Sequence, residues 1–308
     1  MAQAFVTGGS GFIGQVLVRR LVDAGLDVRA LVRSDSSAER VESPGAKAVR
    51  GDVSDSTMWR HEVEDSDVFF HLAAQTDVDA DRADHERVTV HGTRAALEAA
   101  VHAGVPRFVH CGTEAALLAG APLIDVDESA PLRPDSDAAY SATKAEAEQL
   151  VLDANSTTMA TVSVRPRFVW GPHSILIDGL VAAAKAGEFA WIDGGRHTTD
   201  VTYVDNAVEG LVLGWQRGTP GEAYFVTDRH RVVLREFLGQ LFSIYGVDTE
   251  IPDITSAEAE QSIPVPARWF LGQTCTLRTG KAVSDLGYEP VVPHEIALDV
   301  LRESVAHS

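Results

Sequence analysis

The chain predicts an α/β protein, a Rossmann-type doubly wound parallel sheet carrying a smaller C-terminal substrate lobe. Three observations predict it. Short apolar runs alternate with helical stretches through the first two-thirds of the 308 residues, the order that builds a parallel sheet with right-handed crossovers. The first run ends in a glycine cluster that leads directly into a helix. After Pro166 the alternation loosens into short strands, helices and proline breaks.

Ala4 to Thr7 is the first strand. The helix that follows, Gly14 to Ala24, turns Leu17 and Leu21 inward below Ile13 and leaves Arg19, Arg20 and Asp23 outside. Gly25 stops it where a left-handed cap is expected. Asp27 to Val32 is the second strand, and 48–50, 68–71, 107–111, 161–165 and 224–226 read as further strands. Helices around 86–103, 138–154 and 205–217 separate them. Residues 1–170 with about 203–227 form the expected dinucleotide core, and about 171–202 with 228–308 the substrate lobe.

Composition bounds the function. Hydrophobic residues make up 45% and charged residues 23%, enough apolar surface to bury a full core. The 26 basic residues face 45 acidic ones, a net charge of −19. Such a surface repels phosphate backbones and anionic lipid, so neither nucleic acid nor membrane is an expected partner. Cys111 and Cys275 stand far apart and supply neither a disulfide framework nor a zinc knuckle. No run approaches a transmembrane length, and a strand starting at Ala4 leaves no room for a secretion signal. The expected location is the cytoplasm. Only 4 of the 26 bases are Lys, which a GC-rich genome and a salt-rich cytoplasm explain equally well.

The chemistry begins at Thr7-Gly8-Gly9-Ser10-Gly11-Phe12-Ile13-Gly14. Glycines at 8, 11 and 14 let the backbone turn sharply and bring a pyrophosphate against free N–H groups at a helix start. The second strand then ends Leu31-Val32-Arg33-Ser34, with no acid to receive an adenosine ribose. Arg33 suits a 2′-phosphate, so the expected cofactor is NADP, with NAD as the alternative. Tyr140 and Lys144 share one face of a helix at i, i+4 spacing. Bringing a Tyr from its ordinary pKa near 10 to about 7 takes roughly 4 kcal/mol of phenolate stabilisation, which a neighbouring Lys and a cationic nicotinamide can supply. Thr113 follows the fifth strand, where parallel sheets present ligands. No HExxH spacing and no GxSxG elbow occurs, so metalloprotease and hydrolase chemistry are excluded.

Together these residues resemble the extended short-chain dehydrogenase/reductase superfamily over nearly the whole chain. Gly51-Asp52-Val53, His71-Leu72-Ala73-Ala74, Arg165-Pro166, Gly171-Pro172, Tyr203-Val204-Asp205-Asn206 and Asp285-Leu286-Gly287-Tyr288-Glu289-Pro290 fall in the family order. The resemblance implies that Asp52 and Val53 border the adenine and that Leu72, Ala73 and Ala74 pass along the cofactor, with Pro166 beside it. It implies Tyr140 as general acid/base, Lys144 on the nicotinamide ribose lowering the Tyr pKa, and Thr113 on the substrate oxygen. A homodimer formed through helices that include the Tyr140 helix is the assembly common in that superfamily.

Three departures narrow the subfamily. The run Thr113-Glu114-Ala115 displaces the Glu of the sugar-nucleotide dehydratases by one position. Thr199-Asp200 stands where sugar-nucleotide members carry an Arg that would hold a diphosphate. Thr89 replaces an Asn that supports the site. What remains is similar to the 3β-hydroxysteroid dehydrogenase and dihydroflavonol reductase branch. The expected function is therefore NADP-dependent interconversion of a carbonyl and an alcohol on an apolar small molecule. An NAD-retaining sugar-nucleotide 4-epimerase is the alternative, and a cofactor-sensing regulator a third class. Trp170, Phe189, Trp191, Trp269 and Phe270 are candidates either to line an apolar pocket or to fill the core of the smaller lobe.

Overall fold

The computed structural model describes residues 2–77 and 79–307. Its main sheet has seven parallel strands: β1 (Gln3–Thr7), β2 (Asp27–Val32), β3 (Lys47–Arg50), β4 (Val68–His71), β5 (Arg107–Cys111), β6 (Ala160–Pro166) and β7 (Glu222–Val226). Their order across the sheet is β7-β6-β5-β4-β1-β2-β3. The chain reverses its winding between β1 and β4, and at such a switch point the strand ends leave a crevice for a ligand.

Strand alternation sorts the residues into two layers. Ala4, Val6, Val68, Phe70, Val109, Val162 and Val164 face one way, against Leu17, Leu21, Val208 and Leu211 of the helices Phe12–Asp23 and Val204–Arg217. Phe5, Phe69 and Phe108 face the other way and meet Trp59, Ala96, Ala100 and Val151. On this second face the aromatic row gives way to polar residues at the strand ends. Thr7, His71, His110 and Ser163 lie side by side in register across four strands.

The helix expected near 86–103 is broken by a wide turn. Arg82–His85 is α-helical, Glu86–His91 is a π-helical segment and Gly92–His102 resumes the α-helix. The wide turn buries Thr89, whose hydroxyl accepts the Gln75 N–H at 3.0 Å. Thr89 thus supplies a supporting hydrogen bond at the position whose missing Asn put it in question. Periodicity reports only that a stretch is helical, so an extra residue in one turn leaves no trace in it.

A second apolar cluster joins Phe168, Trp170, Phe189, Trp191, Phe237, Leu241 and Leu298, packed among the helices Ile175–Ala186, Leu234–Ile244 and His294–Ala306. Beside it a small sheet pairs Val232–Val233, Thr198–Thr199, Cys275–Leu277 and Leu123–Val126 in that order. The last strand comes from the loop between β5 and β6, a pairing over more than 140 residues that no local pattern announces.

Asp228 ties this cluster to the main sheet. It lies just beyond β7, is buried, and accepts Trp170 Nε1–H at 2.8 Å, Tyr203 N–H at 2.6 Å and Asn206 Nδ2–H at 2.7 Å. Replacing it by Ala strands three buried donors. We expect Asp228→Ala to lower the unfolding free energy by roughly 3–5 kcal/mol, read from urea melts; a loss below about 1 kcal/mol would show that the junction holds without it.

Candidate active site

The glycine turn is shaped for a dinucleotide. Gly8 has φ +72°, and a Cβ there would sit 2.7 Å from Ala73 N; a Cβ on Gly14 would sit 2.1 Å from Gly8 O. Only bare backbone fits, which draws the turn between β1 and the Leu72–Ala74 segment after β4. Ser10, Phe12 and Ile13 are half-buried around it, as are Leu72, Ala73 and Ala74. No side chain caps the helix start at Gly11, so its N–H groups remain available to phosphate oxygens. The residues present fit a bound dinucleotide.

The residues expected at the adenosine end are also placed. Arg33 is exposed just past β2, and Ser34 caps the helix Asp35–Glu42 by accepting Ser37 N–H at 3.2 Å. Asp35 is ion-paired to Arg50. Asp52 accepts the Ser54 hydroxyl at 2.7 Å and lies 3.7 Å from Arg87; the Ser54 hydrogen bonds hold its carboxyl below the ordinary carboxylate range. Val53 is buried against Gly92. Pro166 ends β6, buried and in register with Val226.

Tyr140, Lys144 and Glu148 follow one another at i+4 along the helix Ala139–Asp153, which lies over β5 and β6. Lys144 is buried and donates to the Cys111 carbonyl at 2.8 Å, with His110 Nε2 3.5 Å away. Burial lowers its pKa. Glu148 accepts from Arg165 Nε at 2.7 Å, both fully enclosed. Beneath them His71 and His110 stack with centroids 5.6 Å apart. Thr93 donates to the Thr89 carbonyl at 2.6 Å, so it must accept from His71 Nε2–H at 2.9 Å. His71 Nδ1 then accepts the Thr7 hydroxyl at 2.8 Å. This fixes one neutral tautomer.

The phenol departs from the expectation drawn from spacing. Burial, and next the charge of Glu114, push the Tyr140 pKa up, and Lys144 is not among the groups that act on it. The ammonium points down to Cys111 and His110 instead. Spacing along a helix fixes the side of approach, whereas the acceptor that captures a long side chain is chosen by the strand beneath.

Thr113, just past the end of β5, lies beside Tyr140 and acts on its phenol. It donates its proton to Glu114 Oε2 at 2.9 Å, and the other Glu114 oxygen takes Arg167 Nη1–H at 2.5 Å. Arg167 also donates to the Thr199 hydroxyl at 3.2 Å and lies over the Phe270 ring. Glu114 and Arg167 are both about 3% exposed, and a hydrogen bond to an enclosed, charged group is worth about 1.5–3 kcal/mol. Sequence reasoning passed over Arg167, whose signal was a lone charge inside the run Pro166-Arg167-Phe168-Val169-Trp170.

The aromatic candidates divide. Trp170, Phe189 and Trp191 are buried in the second core, because three helices close over them. Trp269 and Phe270 are half-buried on the short helix Val265–Leu271; Trp269 and Tyr140 both pack against the apolar cluster that includes Leu117 and Leu118. Cys111 is an enclosed thiol whose pKa burial raises. Among the described residues there is no cluster of three metal-ligating side chains, and no helix is long and apolar enough to cross a membrane.

Two predictions follow from this geometry. Gly14→Ala should weaken NADPH binding more than about 100-fold while the fold persists, measured by quenching of protein fluorescence; parental affinity would contradict the cradle. His71 is held neutral, its pKa pushed down to about 3 by burial and by Lys144, and His110 is lowered likewise by burial, Lys144, His71 and Arg165. The unfolded chain protonates both near 6.5, so their contribution is whole above about pH 6.5 and is lost as pH falls below it, down to about 3 for His71. The loss is about 1.4 kcal/mol per pH unit for each histidine. A double variant, His71→Gln with His110→Gln, should show a shallower acid slope in urea melts; an unchanged slope would refute this.

Residues 5–253 match the 3-beta hydroxysteroid dehydrogenase/isomerase family. A ketoreductase of Stigmatella aurantiaca, named for 4-hydroxy-2-methyl-3-oxo-4-farnesyl-3,4-dihydroquinoline-1-oxide, is 40% identical over 98% of this chain and 96% of its own. The 2-alkyl-3-oxoalkanoate reductase of Stenotrophomonas maltophilia is 33% identical over 98% of each. In fold the chain is similar to the UDP-glucose 4-epimerase of Thermotoga maritima, at TM-score 0.82 and 22% identity over 99% of both chains. The chain belongs to the 3-beta hydroxysteroid dehydrogenase/isomerase family of the extended short-chain dehydrogenase/reductase superfamily, and is an NAD(P)-dependent oxidoreductase of carbonyl and alcohol groups.

Proposed function

We propose that this protein is an NADP-dependent ketoreductase in which Tyr140 protonates the oxygen of an apolar 3-oxo compound. The observation that carries the reading is the Tyr140 phenol facing the Thr113 hydroxyl at the mouth of β5, on the same crevice edge as the glycine turn. The bound nicotinamide supplies the hydride. Tyr140 supplies the proton, and its raised pKa suits that direction, since the phenol stays protonated until an alkoxide develops beside it. Lys144, enclosed on the same helix face, would hold the nicotinamide ribose of a bound cofactor and supply a positive charge there. Trp269, Phe270 and Leu118 favour an apolar substrate body, in keeping with the 3-oxo compounds for which the two relatives are named.

NADP preference rests on what surrounds Arg33. The nearby acids are engaged, Asp35 by Arg50 and Asp52 by Ser54 and Arg87, so no carboxylate is free for a ribose diol. A 2′-phosphate would meet Arg33, Ser34 and the N–H groups opening the helix Asp35–Glu42. The reading also includes a homodimer formed through the Ala139–Asp153 helix face; sedimentation at the single-chain mass of 33.0 kDa would remove that part.

Tyr140→Phe should lower kcat by about 10²–10⁴-fold with NADPH affinity intact, and turnover at the parental rate would take Tyr140 out of the mechanism. Arg33→Ala should weaken NADPH roughly 10–100-fold and leave NADH unchanged. Denaturing the purified protein and identifying the released dinucleotide comes first. Tightly retained NAD would move the reading to epimerisation.

A further inference from the structure

We propose that His85 returns the proton to Tyr140 after each reduction. The proposal rests on the reading of Tyr140 as the proton donor of the reaction.

His85 ends the helix Arg82–His85, where the chain enters the π-helical turn Glu86–His91; such wide turns recur at functional sites. Asp81 caps that helix by accepting Asp84 N–H at 2.8 Å, and Arg82 reaches Glu146 of the Tyr140 helix at 3.6 Å. The imidazole is enclosed, and its ring meets that of Tyr140 edge to face with centroids 6.2 Å apart. Neither ring nitrogen has a hydrogen-bond partner. The Asp77 backbone comes close enough to act on the ring without completing a hydrogen bond. A neutral imidazole carries one donor and one acceptor, and burying both unengaged is costly. His71 shows the usual outcome, with its two nitrogens on Thr7 and Thr93. Among the described residues, His85 is the histidine with both nitrogens enclosed and unengaged.

The other protic groups near the phenol are committed. Lys144 donates to the Cys111 carbonyl at 2.8 Å and turns toward His110. The Thr113 proton goes to Glu114 at 2.9 Å, and Glu114 is paired with Arg167. Tyr140 is half-buried, and a bound substrate fills the crevice from which water would reach it. His85 lies inside the protein against the ring, and Asp77, Asp81 and Asp84, which act on it, extend to solvent.

The step balances. In reduction the Tyr140 O–H bond breaks, its proton goes to the alkoxide oxygen that hydride addition creates, and a phenolate remains. The imidazole takes a proton from solvent, a His85 N–H bond breaks, and that proton re-forms the phenol. The ring is left neutral, as it began. Each carbonyl thus consumes one hydride and one solvent proton. Burial and the Glu114 charge disfavour the phenolate and so favour this transfer. Burial also lowers the His85 pKa, against the pull of Asp77, Asp81 and Asp84, which makes the protonated ring a readier donor.

The experiment follows NADPH oxidation by stopped flow, with 1-phenyl-1,2-propanedione, ethyl 3-oxobutanoate and ethyl 2-methyl-3-oxobutanoate as the ketones. His85→Phe keeps a ring against Tyr140 and removes the relay. Its first turnover should stay within about twofold of the parent's, because Tyr140 starts protonated, while later turnovers slow at least about tenfold. The record is then a burst of one NADPH per chain. His85→Ala leaves room for free imidazole, which should speed its later turnovers and leave the first unchanged. Both variants are checked for parental melting temperature and NADPH affinity, and His85→Gln takes the place of His85→Phe if that variant fails. Later turnovers of His85→Phe at the parental rate would overturn the proposal. So would first and later turnovers that slow together, or a His85→Ala variant that imidazole does not rescue. No Tyr140-dependent reduction of any of the three ketones would instead overturn the ketoreductase reading itself.

Discussion

The helix Ala139–Asp153 must bury a polar face, and much of the molecule is arranged around that constraint. Lys144 and Glu148, with Ser141 and Thr143 beside them, are enclosed. A helix with such residues inside cannot dock on an aliphatic sheet, because each unpaired charge would cost several kcal/mol. The strands below answer residue by residue: the Cys111 carbonyl and His110 receive Lys144, and Arg165 receives Glu148. The polar row Thr7, His71, His110 and Ser163 continues that answer across the sheet, while the aromatic row Phe5, Phe69 and Phe108 one step earlier in each strand supplies ordinary apolar contact. The catalytic helix is therefore placed in a register that sliding would destroy.

A second buried ion pair, Glu114 with Arg167, starts from the turn that packs against that helix. Glu114 opens the short 3₁₀ turn after β5, and Arg167 follows β6. Their contact, extended to Thr199, connects the Thr113 hydroxyl to the segment whose strand pairs with Cys275–Leu277. Phe270 lies over the guanidinium and belongs to the short helix that also carries Trp269. The short helix Val265–Leu271 and the Thr113 hydroxyl thus share one chain of contacts.

The cofactor side was read from residue order almost unaided. The turn Gly8–Gly14, the strands Asp27–Val32, Val68–His71 and Arg107–Cys111, and the place of Thr113, Tyr140 and Lys144 follow from local pattern, because glycine freedom, strand alternation and helix spacing act over a few residues. The lobe was legible only in outline. The pairing of Leu123–Val126 with Cys275–Leu277 and the division of the aromatic residues into core and wall depend on contacts between distant segments.

By itself the sequence determined the fold class, the glycine turn and the set of candidate site residues. Each is encoded by residue types whose backbone or chemical properties are local. Tertiary structure decided the protonation and direction of those side chains. Lys144 turns to Cys111 and His110 because the fifth strand offers an acceptor there. His71 and His110 are held neutral first by burial and then by the ammonium of Lys144, and the Thr113 proton belongs to Glu114 because Arg167 holds that carboxylate in place. Hydrogen-bond direction and charge state are set by neighbours in space, which only the packed molecule brings together.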